Sequence, residues 1–232
     1  MNMVPVVLVR HGESVWNKEN KFTGWIDVEL SENGKIESKS VGNILKEHKF
    51  SFDIAYTSLL KRSIQTLWSI LKVIDQCWIP VKKTWKLNER HYGSLQGLDK
   101  TETMNKYGIN QVKSWRRGFK DHPPSMSLNN LNHLSKDPKY KGLDRKLLPV
   151  SESLQDTERR VISYWNNEIM PKILMKKKVI IVSHGNSLRS LIKHIDKIED
   201  SKIDSLDIPT AKPIVYEFDK SIRKVRSYFL KI

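Results

Sequence analysis

Two histidines occupy matching positions near the two ends of the sequence. His11 follows the apolar run of residues 4–9 and Arg10, His184 follows the apolar run Val179–Ser183, and each histidine is followed by a glycine. A neutral imidazole is a competent nucleophile towards a phosphoryl group when nearby cations neutralise the phosphate and the ring is held in one tautomer. The planar fork of an arginine grips phosphate oxygens well. A lone Arg-His-Gly is equally typical of an ordinary turn after a strand, so the interpretation depends on what else accompanies it.

The sequence offers little support for metal or nucleotide chemistry. No two histidines have the four-residue spacing of a helical metal site, and the single cysteine, Cys77, cannot supply a thiolate cluster. We expect Cys77, which lies in an apolar stretch, to pack as a small hydrophobic residue. The sequence contains neither a glycine-rich loop ending in Gly-Lys-Ser/Thr nor a Gly-X-Gly-X-X-Gly motif. We therefore expect neither a metal site nor a nucleotide site.

Apolar periodicity predicts the elements that position the two histidines. Short β-branched runs predict strands at residues 4–9, 54–57, 81–87 and 179–183, and a closing hairpin at residues 214–218 and 225–230. Apolar residues at helical spacing predict helices at residues 60–74, 153–170 and 187–195. Alternating strands and helices indicate a three-layer α/β/α fold, in which an open, mostly parallel sheet carries helices on both faces. Ligands of such sheets collect at the carboxyl ends of the strands, which is where both histidines fall.

Length and composition predict the domain organisation. We expect residues 1–232 to form a single domain. Residues 120–149 are rich in Pro, Ser, Asn and Lys and show little periodicity, so we expect a mobile lid or flap there. No apolar run approaches the length that spans a bilayer, and the first residues lack the features of a secretory signal. Together with the single cysteine, these observations predict a cytoplasmic protein.

The net charge narrows the choice of partner only slightly. The chain has 41 Lys and Arg against 26 Asp and Glu, a formal net charge of +15 at pH 7. Such a charge attracts nucleic acid, membrane surfaces and small phosphorylated metabolites alike. Aromatic and basic residues do not interleave as a stacking platform for nucleic acid, and no known binding module appears. We therefore expect a small phosphorylated substrate, and neither nucleic acid nor a membrane as partner.

Six segments across nearly the whole chain form a recognisable series. They are Leu-Val-Arg-His-Gly-Glu-Ser at 8–14, Phe-Thr-Gly-Trp at 22–25, Ser-Leu-Leu-Lys-Arg at 58–62, Asn-Glu-Arg-His-Tyr-Gly at 88–93, Trp-Arg-Arg-Gly-Phe at 115–119 and Ser-His-Gly-Asn-Ser-Leu-Arg at 183–189. In type and order they resemble the segments of the cofactor-dependent phosphoglycerate mutases of the histidine phosphatase superfamily. The resemblance implies a phosphoglycerate mutase-like fold and an enzyme that interconverts 3-phosphoglycerate and 2-phosphoglycerate in glycolysis and gluconeogenesis. It also implies a phosphohistidine intermediate, 2,3-bisphosphoglycerate as primer, and no metal.

The same resemblance implies roles for individual residues. His11 matches the phosphorylated nucleophile, Glu89 the acid/base that exchanges a proton with the substrate hydroxyl, and His184 a group that stabilises the transition state. Arg10 and Arg62 complete the catalytic set. The positions that match substrate-binding residues are Arg10, Ser14, Asn17, Thr23, Gly24, Arg62, Glu89, Tyr92, Lys100, Arg116, Arg117, Gly185 and Asn186.

Two departures from the family pattern and one rival activity accompany this resemblance. Thr210-Ala211 stands where the family usually has Thr-Gly, and the sequence ends at Ile232 without the longer tail of many relatives. Because that tail helps to cover the site, we expect a higher ratio of bisphosphoglycerate phosphatase to mutase activity than in tailed relatives. The rival is a phosphatase of the same superfamily, in which water takes the phosphoryl group from His11. Relatives assemble as dimers or tetramers, so we expect a homodimer or a higher homo-oligomer.

Overall fold

The computed structural model of the chain describes residues 3–219 and 221–230. The strands within these residues are β1 (Val4–Arg10), β2 (Ile54–Thr57), β3 (Val81–Lys83), β4 (Val179–Ser183), β5 (Ile214–Phe218) and β6 (Lys224–Phe229). They form one sheet in the order β3-β2-β4-β1-β5-β6. The strands from β3 to β1 are parallel neighbours, whereas β5 pairs antiparallel with β1, and β6 pairs antiparallel with β5. The open, mostly parallel sheet predicted from the sequence is confirmed.

Helices cover both faces of this sheet. In the described part of the chain they are α1 (Val15–Lys18), α2 (Glu32–Glu47), α3 (Lys61–Val73), α4 (Lys100–Tyr107), α5 (Ile109–Arg117), α6 (Leu128–Lys136), α7 (Leu154–Tyr164), α8 (Met170–Leu174) and α9 (Gly185–Asp196). Val6 and Leu8 of β1 belong to the core beneath α7 and α9, whereas Val7 and Val9 belong to the core beneath α2 and α3. Because successive side chains of a strand point to opposite faces, a continuous apolar run buries both faces.

Two element boundaries differ from the sequence prediction. Strand β3 ends at Lys83, earlier than expected, because Thr84 caps a single turn of 3-10 helix. The long helix predicted next to the insertion begins at its expected cap, where Ser153 and Asp156 form a capping box. A π-helical turn, Trp165–Ile169, then separates α7 from α8. Neither change affects the carboxyl ends of β1, β2 and β4.

The insertion at residues 120–149 has more regular structure than its composition predicts. It contains α6 and two short 3-10 turns, Pro138–Tyr140 and Arg145–Leu147. Its buried side chains pack on Trp25, which stacks on Tyr140 with ring centroids 5.1 Å apart. This packing cannot be predicted from the sequence, because Trp25 lies far from the insertion in the chain. The helix α6 also contributes a single buried side chain, Leu131, so its apolar face is weak. The mobility of the insertion stays a prediction.

One expectation about the surface is wrong. Cys77 is exposed, although it lies in an apolar stretch of the sequence. The residue belongs to the turn that joins α3 to β3, and its neighbour Trp78 is also exposed. Connections of this kind run over the surface, so local hydrophobicity does not guarantee burial there. Across the described ranges, no helix combines the length and apolar character needed to cross a membrane.

Candidate active site

The parallel strands end at one edge of the sheet, and the predicted catalytic residues lie there. Arg10 ends β1 and His11 follows it, while β2 leads to Arg62 in the first turn of α3. Strand β4 leads to His184, the N-cap residue of α9, and the segment after β3 delivers Glu89. A cavity of about 120 Å³ opens at this edge. Its lining residues are Arg10, His11, Asn17, Lys21, Phe22, Thr23, Gly24, Arg62, Glu89, Tyr92, Lys100, Arg116, Arg117, Gly185, Asn186, Arg189, Asp207 and Ile208.

Ser14 and His184 are the predicted site residues that do not line this cavity. The Ser14 hydroxyl accepts a hydrogen bond from the Asn17 N–H at 3.1 Å, and the Asn17 side chain accepts one from the Ser14 N–H at 3.1 Å. This capping box begins α1 and holds Asn17 at the cavity. Ser14 therefore positions a lining residue. The ring of His184 lies behind His11.

His11 is held in one tautomer. Its Nδ1 lies 2.6 Å from the main-chain oxygen of Gly12, and because a carbonyl can only accept, Nδ1 carries the proton. The lone pair is therefore on Nε2. Burial, followed by the nearby charges of Arg62 and Arg10, holds the pKa of His11 well below 6.5, although the Gly12 carbonyl opposes the shift. His11 is a neutral imidazole with a nucleophilic nitrogen at neutral pH.

His184 is also buried and neutral. The centroid of its ring lies 4.9 Å from that of His11 in an edge-to-face arrangement, and its Nε2 lies 2.8 Å from the Ser58 hydroxyl. Its Nδ1 is buried without a hydrogen-bond partner among the described residues. Burial first, and then the charge of Arg62, hold the pKa of His184 well below 6.5.

Main-chain carbonyls anchor the two arginines beside His11. Arg62 donates from Nη2 to the Gly24 oxygen at 2.8 Å and from Nη1 to the Ile26 oxygen at 2.9 Å. Arg10 donates to the main-chain oxygen of Ile208 at 2.7 Å. Burial lowers the pKa of Arg62 to about 10, with the carboxylate of Glu89 opposing the shift, so the guanidinium stays charged at neutral pH.

Glu89 is fixed through both its side chain and its main chain. Its Oε1 accepts from the main-chain N–H of Arg90 at 2.8 Å and of Asn186 at 3.1 Å, which leaves Oε2 outside both bonds. Its carbonyl accepts from Trp25 Nε1 at 2.6 Å and from Arg160 Nη2 at 2.9 Å. A carboxylate held in this way can exchange a proton with a group in the cavity while its backbone stays in place.

Gly185 lies between Arg10 and Glu89 at the cavity. A Cβ atom at this position would make ordinary contacts, 3.5 Å from Arg10 Nε and 3.7 Å from Glu89 Oε2. The absence of a side chain therefore leaves this space between an arginine and a carboxylate open for a ligand.

Five lining residues were not identified from the sequence, and Arg189 matters most among them. It donates from Nη1 to Asn186 Oδ1 at 2.9 Å and from Nη2 to the Arg117 oxygen at 3.1 Å. The position of Arg189, one helical turn after Gly185 on α9, was the available signal. The others are Lys21, Phe22, Asp207 and Ile208. Phe22 begins the Phe-Thr-Gly-Trp segment and Lys21 precedes it, so their position was a signal, whereas no local pattern marks Asp207 and Ile208.

The cavity is strongly cationic. Seven arginine and lysine side chains line it against two carboxylates, those of Glu89 and Asp207. Burial, together with the charge of Arg116, lowers the pKa of Lys100, as expected where like charges gather. Among residues 3–219 and 221–230, no group of three or more His, Cys, Asp or Glu side chains could hold a metal ion. The arrangement is therefore suited to binding an anion and to presenting it to His11.

Sequence and structure comparisons agree with this geometry. Residues 6–230 match the sequence profile of the histidine phosphatase superfamily, branch 1. The chain belongs to this superfamily. Its members use the fold for phosphatase and phosphotransferase reactions, so the chain is an enzyme of that broad class.

Solved structures with a similar fold are named for different activities. The alpha-ribazole phosphatase from Shigella flexneri is 18% identical, with a TM-score of 0.71 and coverage of 98% of this chain and 96% of that chain. A mycobacterial glucosyl-3-phosphoglycerate phosphatase is 20% identical, with a TM-score of 0.67 and coverage of 98% and 97%. The phosphoglycerate mutase from Bacillus anthracis is 21% identical, with a TM-score of 0.68 and coverage of 100% and 93%. At these identities the similarity shows a shared fold.

Proposed function

We propose that this superfamily member is a phosphoglycerate mutase that interconverts 3-phosphoglycerate and 2-phosphoglycerate. The proposal rests on the protonation state and the surroundings of His11. It is a buried, neutral imidazole whose Nδ1–H is held by a main-chain carbonyl, in a cavity lined by seven cationic side chains. A fixed neutral tautomer suits a nucleophile, and surrounding cations stabilise the oxygens of a phosphoryl group during transfer.

The origin of the cations favours a substrate with more than one anionic group. Arg10 and Arg62 come from β1 and α3 and flank His11, whereas Arg116 and Arg117 come from the end of α5. Arg10 and Arg62 are placed to hold the phosphoryl group at His11. A molecule with a carboxylate and two phosphates also engages the second pair, because each anionic group needs its own donors. The second pair therefore supports a substrate of the bisphosphoglycerate type.

The lining residues also fit 2,3-bisphosphoglycerate as a primer. The Nε atoms of Arg10, Arg62 and Arg189 and the Oγ1 atom of Thr23 are buried without a hydrogen-bond partner in the described part of the chain. Buried donors are normally paired, so these four are expected to meet oxygens of a bound anion. The primer, when bound, supplies the phosphoryl group that His11 first accepts.

The reaction follows from the positions of three side chains. The lone pair of His11 Nε2 forms a bond to phosphorus as the bond from phosphorus to the departing oxygen breaks. When a substrate hydroxyl takes the phosphoryl group from His11, the Glu89 carboxylate accepts the hydroxyl proton at Oε2. Glu89 then returns this proton to the departing oxygen when His11 takes back the other phosphoryl group. Arg62 holds the transferring oxygens and offsets their charge.

Mass spectrometry tests the nucleophile. The protein is incubated with 2,3-bisphosphoglycerate and its intact mass is measured before and after acid treatment. We expect one acid-labile phosphoryl group on the wild type and on the control His133→Asn, whose histidine is exposed, and none on His11→Asn. Equal labelling of His11→Asn would remove His11 from the mechanism.

Kinetic assays separate transfer from hydrolysis. Mutase and phosphatase rates are measured on one preparation, with and without 2,3-bisphosphoglycerate and with a strong chelator present. We expect primer-dependent mutase activity that survives the chelator, and we expect Glu89→Gln to lower kcat about 100-fold or more with little change in KM. The surface variant Glu102→Gln serves as control. Phosphate release without isomerisation would identify the phosphatase, and loss of activity with the chelator would indicate a metal.

We also infer a homodimer or a higher homo-oligomer, with a second copy covering two exposed tryptophans. Trp68 on α3 and Trp78 before β3 are 55% and 77% exposed, and both belong to the part of the chain that leads to β3, the edge strand of the sheet in the described residues. Large exposed aromatic side chains favour burial against an identical copy about a two-fold axis. We expect neither nucleic acid nor a membrane as a partner. A cytoplasmic location stays a prediction.

A further inference from the structure

A second cavity, of about 450 Å³, lies between residues 25–27, the turn at residues 91–96 and the insertion around α6. The charge of its lining residues is opposite to that of the active-site cavity. Among the described residues, no lysine or arginine lines it, and the charged lining residues Asp27 and Asp137 are carboxylates. Lys139 lies 2.7 Å from Asp137 and 3.5 Å from Asp27 and offsets part of their charge. The second cavity therefore disfavours anions and suits an uncharged ligand.

A buried hydrogen-bond donor belongs to this cavity. His91 has no exposed surface, and its Nδ1 accepts from the Gly93 N–H at 3.0 Å. Burial, followed by the charge of Arg160, lowers the pKa of His91 to about 3, so the ring is neutral and Nε2 carries its proton. Nε2 has no partner in the part of the chain that the structure describes. A buried donor left unpaired costs free energy, and an acceptor on a ligand would satisfy it.

The remaining walls favour a flat ring system. Trp25 meets the His91 ring in an edge-to-face arrangement, with centroids 5.6 Å apart. Met126 and Leu134 of the insertion supply adaptable apolar surface. Ser94, Gln96 and Asn130 add polar groups to the same cavity. A mainly apolar wall with a few polar groups is typical of sites for small organic molecules, and the ring of Trp25 suits a flat one.

The second cavity shares a short chain segment with the active site. The carbonyls of Gly24 and Ile26 anchor Arg62 at 2.8 and 2.9 Å, and Trp25 Nε1 donates to the Glu89 carbonyl at 2.6 Å. Trp25 and Ile26 are also walls of the second cavity. Because His91 Nε2 is closed to solvent, a ligand that reaches it must displace a wall side chain. Trp25 and Ile26 are the walls nearest in the chain to the Gly24 and Ile26 carbonyls that anchor Arg62, so displacement of either side chain is the route by which a ligand would reach the active site.

We propose that the second cavity binds an uncharged, flat heteroaromatic molecule whose ring nitrogen or carbonyl accepts a hydrogen bond from His91 Nε2–H. We infer further that this binding weakens anion binding in the active-site cavity. The second cavity is thus a regulatory site. The binding statement is independent of the active site, and the coupling statement requires only an anion site beside His11. Neither requires the mutase reaction, so both can fail or hold independently of the proposed function.

Two isosteric probes test the hydrogen bond. Benzimidazole and indole have the same bicyclic shape, but only benzimidazole offers an acceptor nitrogen. Each is titrated while the indole N–H signal of Trp25 is followed by NMR, with the assignment confirmed by Trp25→Phe. We expect saturable shifts and roughly 3- to 10-fold tighter binding of benzimidazole, the worth of one hydrogen bond. Equal affinities, or no saturation with benzimidazole, would overturn the proposal.

A matched pair of variants on α6 tests the location. Leu134→Arg places a cation in the second cavity, and Leu128→Arg makes the same change at an exposed position of the same helix. We expect Leu134→Arg to weaken benzimidazole binding at least tenfold and Leu128→Arg to leave it unchanged. If Leu134→Arg binds benzimidazole as tightly as the wild type does, the probe binds at another site. The same follows if inorganic phosphate displaces benzimidazole equally from Leu134→Arg and from the wild type.

Calorimetry tests the coupling. The affinity for inorganic phosphate is measured with and without saturating benzimidazole, and reciprocity requires phosphate to change benzimidazole affinity by the same factor. We expect phosphate to bind at least threefold more weakly in the presence of benzimidazole, and this effect to disappear in Leu134→Arg. An unchanged or tighter phosphate affinity would refute the coupling.

Discussion

Lowering the pH from 7 to 5 is expected to destabilise the fold through three buried histidines. His11, His91 and His184 are at most 3% exposed, and burial, their largest perturbation, holds the pKa of each below 6.5 in the folded chain, to about 3 for His91. In the unfolded chain each pKa returns to about 6.5. Below pH 6.5 the unfolded state therefore binds more protons than the folded state, and the free energy of unfolding falls as the pH falls.

The size of this effect follows from proton linkage. For one histidine that stays neutral in the folded chain, moving from pH 7 to pH 5 costs about 1.9 kcal/mol, from a slope that approaches about 1.4 kcal/mol per pH unit. The lowered pKa values of His11 and His184 add to this cost in the same direction. Even the cost at His91 alone is considerable against the roughly 5–15 kcal/mol that stabilises a typical domain.

Urea unfolding at pH 7 and pH 5 measures the effect in matched variants. We expect His91→Gln to lose about 2 kcal/mol less than the wild type between these two pH values, because one of the three groups no longer titrates. The absolute stability of His91→Gln also falls, since the bond to Gly93 changes, but the difference between pH values isolates the proton. His133→Gln, at an exposed position, should behave like the wild type.

Two results would refute this reasoning. One is an identical pH dependence in His91→Gln and the wild type. The other is an NMR titration in which the His91 ring of the folded protein takes up a proton between pH 7 and pH 5.

Three further predictions concern backbone strain, a buried ion pair and assembly. Ala211 has a φ of 49°, where side chains are strained, so Ala211→Gly should raise the free energy of unfolding by up to about 1 kcal/mol; a lower value in urea would contradict this. Arg160 pairs with Glu152 at 2.6 Å, both side chains being at most 6% exposed. Arg160→Met should therefore cost about 3–5 kcal/mol, and adding Glu152→Met should recover part of that loss by removing the uncompensated carboxylate. A double variant no more stable than the single one would argue against this account. Replacing Trp68 and Trp78 together by serine should convert an oligomer to monomers in sedimentation velocity, and an unchanged mass would place the interface elsewhere.

The sequence by itself determined the sheet and the place where chemistry collects. Residues 4–9 and Val179–Ser183 are apolar runs too short and too β-branched for helices, and alternating elements favour parallel strands. Once the strands are parallel, the residues that follow them meet at one edge. His11 and His184 could therefore be brought together without coordinates, because strand direction and chain order alone decide which ends meet.

Only the tertiary structure decided the chemical state of those residues. The low pKa of His11 comes from burial and from the charge of Arg62. The main chain of Glu89 is held by Arg160 and Trp25. None of these partners is close in sequence to the residue that it affects. The packing of the insertion on Trp25 could not be predicted from the sequence for the same reason. Periodicity reports which face of an element is apolar, whereas desolvation, charge proximity and shared walls between cavities depend on how distant elements pack, which no local pattern encodes.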